Sequence, residues 1–140
     1  MLNGVSFSVR KGEILGIAGV EGNGQRELVS MLFDMVPPDS GTITVEGQNV
    51  TGAGQSRIRG MGVSHIPEDR MTYGAAGTAS IEENLISDRF DKPAFNKGIL
   101  FDMDAIHKTS DQLIQDYLIL CRSGKQQVKM LSGGNIQKVV

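Results

Sequence analysis

Apolar and polar positions alternate near the start of the chain. Val5, Phe7 and Val9 are separated by Ser6, Ser8 and Arg10, the two-residue period of a half-buried strand. "RKGE" turns the chain, and "EILGIAG" follows as a short apolar run suited to a strand buried on both faces. The period then changes. In "QRELVSMLF", Leu28, Met31 and Leu32 recur at helical spacing, so the stretch reads as strand, glycine loop and helix. "PPDSG" stops that helix, and "TITVEGQNV" reads as a hairpin with Ile43 and Val45 alternating and Glu46-Gly47 at the bend. "MGVSHIP" is a further buried strand, ended by Pro67.

From Met71 to Thr78 the pattern is loop-like, and "SIEENLI" then opens a helix with Ser80 and Glu83 at the spacing of a capping box. After "KPAFNKG", Asp102 or Asp104 can cap a second helix with Ile106, Leu113, Ile114 and Tyr117 on one face. "RSGKQQVK" is polar and reads as a loop, and in "LSGGNIQKVV" Ser132 can cap a last helix. The first half is therefore α/β and the second mostly helical, with the division expected between residues 1–70 and 71–140. There is no internal repeat and no low-complexity tract.

Composition narrows the class. The chain has 140 residues, 39% hydrophobic and 21% charged, enough for one domain of ordinary size with a modest core. A formal net charge of -2 gives no reason to expect nucleic acid as a partner, and the cluster from Arg57 to Arg59 reads as a solvated face. Cys121 is the single cysteine, so no intrachain disulfide can form and a reducing compartment is expected. His65, His107 and Cys121 have no metal-ligand spacing, and no metal site is expected. No apolar run approaches the roughly 18 residues of a membrane span. An abrupt start on a strand and an end two turns into a capped helix suggest a piece of a longer protein.

The 18 glycines are the informative excess. In "GIAGVEGNGQREL", Gly19, Gly22 and Gly24 leave a backbone whose N–H groups can converge on an anion, and the following helix adds its positive end. A working loop of this kind also carries Lys for the β/γ-phosphates and a hydroxyl for Mg²⁺. Here Gln25 is uncharged and Arg26 cannot ligate a metal. The same residues also form a partial G-x-G-x-x-G dinucleotide motif, with Glu27 in place of the last glycine and Glu46 roughly where a ribose-binding acid stands. Glycines that merely permit close strand–helix packing are the third reading of this stretch alone.

"LSGGNIQK", Leu131 to Lys138, decides between them: it resembles the signature motif of ABC ATPases, usually L-S-G-G-Q. "PPDSGTITVEG" is similar to the turn and strand after that family's first helix. "SHIPEDR" takes the place of its Q-loop with Glu68 where Gln is usual, and "SIEENL" resembles the start of its helical subdomain. The combination "GVEGNGQRE", "IPEDR" and "LSGGNIQKVV" resembles the second ATPase half of tandem importer ATPases that energise uptake of sugars and nucleosides.

The resemblance implies a truncated α/β P-loop NTPase core with a partial β-subdomain and a helical subdomain. It implies ATP with Mg²⁺ as cofactors, held weakly or not at all at this half's own loop of Gly19, Gly22, Asn23, Gly24, Gln25 and Arg26. Glu68 would lie near the Mg²⁺ and transmembrane-coupling region. Ser132, Gly133 and Gly134 would complete an ATP site on the partner half. Walker B carboxylates, the catalytic Glu and the switch His follow the signature in this family, and the adenine-stacking aromatic precedes the first strand. No catalytic residue is therefore expected within the 140, and the piece alone is expected to be inactive. The implied partners are an ATPase half, permease subunits and, indirectly, an extracytoplasmic substrate-binding protein, at the cytoplasmic face of the membrane. An exposed sheet edge would invite pairing between copies. An interaction or regulatory module that docks to the same partners without hydrolysing ATP is the rival function.

Overall fold

The computed structural model describes residues 2–20 and 22–140, so Glu21 of the glycine-loop motif lies outside the described residues. The chain packs as two compact units, Met1–His65 and Ile66–Val140.

In the first unit, helix α1 (Gln25–Leu32) begins directly after Gly24, whose φ of 101° is open to glycine and strained for other residues. The helix closes earlier than the prolines would require. Asp34 adopts φ 52°, Met35 N–H donates to Ser30 O and Asp34 N–H donates to Met31 O, the paired bonds of a Schellman end. The hairpin forms as the pattern indicates: β1 (Thr44–Val45) pairs antiparallel with β2 (Gln48–Asn49). Glu46 at φ 47° and Gly47 at φ 77° make the left-handed two-residue turn that matches strand twist. Helix α2 (Gln55–Gly60) was not evident from the sequence, because six residues with one apolar position show no period. It buries Ile58 and leaves Arg57 and Arg59 exposed.

The three strands expected from Val5 to Val9, in "EILGIAG" and in "MGVSHIP" do not form ladders among the described residues. Ile14 is 97% exposed and Ile66 67%. A strand apolar on both faces is held by hydrogen bonds to neighbours at both edges and by layers above and below it. Among the described residues none of these runs has a neighbouring strand at its edge, so their sequence preference has nothing to pair with.

The second unit holds most of the buried apolar residues. Helix α3 (Ile81–Leu85) starts with the expected capping box, Ser80 Oγ accepting from Glu83 N–H and Glu83 Oε2 accepting from Ser80 N–H at 2.7 Å. Its other early donors are also satisfied, Ile81 N–H by Gln126 O and Glu82 N–H by Gly124 O, both at 3.0 Å. A short turn (Pro93–Phe95) leads to a hairpin of β3 (Asn96–Lys97) and β4 (Leu100–Phe101), for which the sequence gives no alternating pattern. Asp102 is the cap of helix α4 (Met103–Asp116), accepting from Ala105 N–H at 3.2 Å. Tyr117 departs from the expected apolar face: it stands at the helix end, 59% exposed, where the chain turns away through Leu118 at φ 52°.

Residues 121–131 are more ordered than a polar loop. Val128 is fully buried in a single turn (Val128–Met130) and joins Ile81, Leu85, Ile119 and Val139 in one apolar cluster. Ile86, Phe95 and Ile106 form a second. Helix α5 (Gly133–Val139) closes the unit. No helix among the described residues is long and apolar enough to cross a membrane.

Candidate functional site

The residues singled out for nucleotide contact fall in both units: Gly19, Gly22, Asn23, Gly24, Gln25 and Arg26 in the first, and Glu68, Ser132, Gly133 and Gly134 in the second.

In the glycine loop, Asn23 N–H donates to Val20 O at 3.2 Å, which bends the chain into α1. Gly22 sits at φ 87° and Gly24 at φ 101°, so both need glycine for conformation. A Cβ on Gly24 would also come within 2.7 Å of the Leu2 side chain. The first helical bond runs from Leu28 N–H to Gly24 O at 2.9 Å, so the helix presents its positive end to the loop. The Gln25 side chain turns back onto the loop. Its amide lies where a Cβ on Gly19 would have to be, and Nε2 donates to Val20 O at 3.4 Å. The position at which a phosphate loop carries a cation thus holds a neutral amide, directed at the loop's own backbone. No hydroxyl follows it: the next side chain is the Arg26 guanidinium, which has no oxygen to offer a metal. Glu46, the candidate ribose acid of the dinucleotide reading, is at the exposed tip of the β1–β2 hairpin.

In the second unit, Glu68 is exposed and belongs to the segment that precedes a single wide turn (Arg70–Gly74). Asp69 fixes that turn, accepting from Met71 N–H, Thr72 N–H and the Thr72 hydroxyl, the last at 2.6 Å. The Thr72 hydroxyl is the first cause that holds the Asp69 carboxyl below the usual aspartate range. Asp69 is thereby committed to local structure. Arg70 was not singled out in the sequence, yet its guanidinium donates to Gly133 O at 3.2 Å and to Gln137 Oε1 at 3.1 Å. It ties the segment carrying Glu68 to the segment carrying the glycine pair. Only the run "PEDR" could have hinted at it, and an arginine in a polar loop is usually a solvated charge.

Ser132 precedes α5 as expected, but its hydroxyl makes no capping bond to the helix backbone. Its carbonyl instead accepts from Asn135 N–H and Ile136 N–H, both at 2.9 Å. The Ser132 hydroxyl accepts from Asn135 Nδ2, and Asn135 Oδ1 accepts from Leu120 N–H, again both at 2.9 Å. Lys138 Nζ donates to Leu118 O at 2.7 Å, a second tie between α5 and the turn after α4. Ser132, Gly133 and Gly134 are all exposed. A shallow cleft of about 390 Å³ opens beside them, lined by Leu120, Cys121, Arg122, Gln126, Ser132 and Asn135. Burial pushes the Cys121 thiol above its ordinary value. A larger cleft near Phe90 and Phe101 contains none of the candidate residues.

Residues 2–140 match the ABC transporter family. A glucose import ATP-binding protein of Haloferax volcanii is 35% identical over 144 residues, covering 99% of this chain and 26% of that protein. A guanosine import ATP-binding protein of Bacillus subtilis is 37% identical over 97% of this chain and 27% of its own length. A ribose import ATP-binding protein of Rubrobacter xylanophilus is 35% identical over 100% of this chain and 28% of its own length. The chain therefore spans about a quarter of the length of the curated relatives it matches.

Proposed function

The chain belongs to the ABC transporter family, and from that premise we propose that it is part of the ATPase subunit of an importer for a sugar or nucleoside. The relatives' import of glucose, guanosine and ribose supports the substrate class and leaves the individual substrate open. In this reading residues 1–70 are the phosphate-loop core and residues 71–140 the helical subdomain. The subunit works at the cytoplasmic face of the membrane, against permease subunits that an extracytoplasmic binding protein loads.

The observation that carries the finer reading is the contrast between the two glycine segments. The Gln25 amide is turned onto Gly19 and Val20 within its own loop, whereas Ser132, Gly133 and Gly134 stand exposed beside an open cleft. The first segment holds Mg-ATP weakly or not at all, and the second completes the ATP site of a partner half. Gly19, Gly22, Asn23, Gly24, Gln25 and Arg26 are the residual phosphate contacts, chiefly through backbone N–H groups. The longer Arg26 fork replaces a lysine charge only if the loop shifts. Glu68 lies toward the coupling region. The 140 residues by themselves are inactive.

Calorimetry of Mg-ATP binding to the chain and to Gln25→Lys/Arg26→Ser tests the contrast. The expected result is Mg²⁺-dependent binding that appears only in the double variant. Equal Mg-ATP binding by the unaltered chain overturns the weak-loop reading. Absence of binding in both sends the same comparison to the full-length protein, where the rival of a docking module without nucleotide predicts that the substitutions add no second bound ATP.

A further inference from the structure

We infer that Asn135 is a positioning residue: it fixes the rotation of the Ser132 hydroxyl so that its proton is presented outward, to an oxygen of a bound phosphate. The inference rests on the reading of "LSGGN" as the segment that meets a partner's ATP. It goes beyond that reading by assigning a proton orientation and the residue that sets it.

The argument is one of donors and acceptors. The backbone N–H of Leu120 can only donate, so the Asn135 amide must turn its oxygen toward it, and it does so at 2.9 Å. With Oδ1 fixed there, the amide's other end is necessarily the NH₂ group, and it faces Ser132 Oγ at 2.9 Å. A serine oxygen that accepts from Nδ2 cannot also aim its own hydrogen at that nitrogen. The hydrogen is turned away from Asn135, on an exposed side chain that makes no capping bond to α5. The chain of bonds therefore runs in one direction, from Leu120 N–H through the amide to the hydroxyl, and its free end is a donor. A donor held in orientation before an anion arrives needs no reorganisation when the anion binds.

Asn135→Asp separates orientation from packing. The shape is kept and one carboxylate oxygen still accepts from Leu120 N–H, but the second oxygen faces Ser132 as an acceptor. The serine proton then turns inward to it. The test is steady-state ATP turnover by the full-length protein with its partner half, for Ser132→Ala, Asn135→Asp and both together, with thermal unfolding of each. The expected result is a roughly ten-fold fall in kcat for each single variant, as for loss of one hydrogen bond to a charged group, with unchanged unfolding temperatures. The double variant is then no slower than Ser132→Ala alone. If the Asn135→Asp loss persists in the Ser132→Ala background, added charge or damaged folding is its cause and the inference fails. If Ser132→Ala slows turnover and Asn135→Asp does not, the inference fails while the reading of the segment stands. If Ser132→Ala itself has no effect, the reading of the segment fails.

Discussion

Ser110 illustrates how a single side chain can stand apart from the packing around it. It is 1% exposed on α4, and its hydroxyl has no hydrogen-bond partner among the described residues. A buried hydroxyl without a partner costs about 1–3 kcal/mol in lost hydration. Alanine removes that cost, occupies less space by only one oxygen and is the stronger helix former. Ser110→Ala should therefore stabilise the chain by about 1 kcal/mol. Thermal unfolding should show a midpoint roughly 4 °C higher, and a lower midpoint would mean that the hydroxyl has a partner in solution. At this scale the sequence is least legible. Nothing in "IHKTSDQ" separates Ser110 from its neighbour Thr109, because burial without a partner depends on what packs opposite. Arg70 and Asn135 escaped notice for the same reason: their partners, Gly133 and Leu120, are set by the fold and not by spacing.

At the scale of elements, the parts legible in the sequence are those whose causes are local. The capping box of α3, the cap Asp102, the Glu46-Gly47 bend and the span of α1 each depend on residues within four positions of one another, and each is found in the structure. The unpaired runs around Phe7, Ile14 and Val63 were misread as completed strands because a strand's existence depends on a distant neighbour. The α3 box also carries a pH dependence. Ser80 N–H, and after it the Ser80 hydroxyl, hold the Glu83 carboxyl below its ordinary value of 4.5. A carboxyl depressed in the folded state contributes stability that is fully present above its unfolded value and is lost as pH falls through the folded one. Glu83→Gln removes this contribution. The difference in unfolding free energy between the two proteins should be constant near neutrality and shrink below about pH 4.5. A difference that stays flat into acid would mean that the box is open in solution.

At the scale of the whole molecule, apolar residues are distributed unevenly between the two units. Of the buried hydrophobics among the described residues, Val50 and Ile58 belong to the first unit, and all the residues of both apolar clusters belong to the second. Both units expose large apolar side chains, and in the first they gather early in the chain: Ile14 is 97% exposed, Ile17 54% and Val20 70%, with Val5, Phe7 and Val9 about half exposed. Covering such side chains is worth about 1.5–3 kcal/mol each. A contiguous stretch of them is a surface that another surface will cover. The exposed edge expected from the sequence is therefore better described as an exposed apolar run, and association of copies through it is a prediction to test. The 140-residue chain should bind a hydrophobic dye, and its sedimentation coefficient should rise with concentration. Ile14→Lys with Ile17→Lys should reduce both signals. A chain that sediments as a monomer at every concentration and binds no dye would show that these residues are covered within one copy.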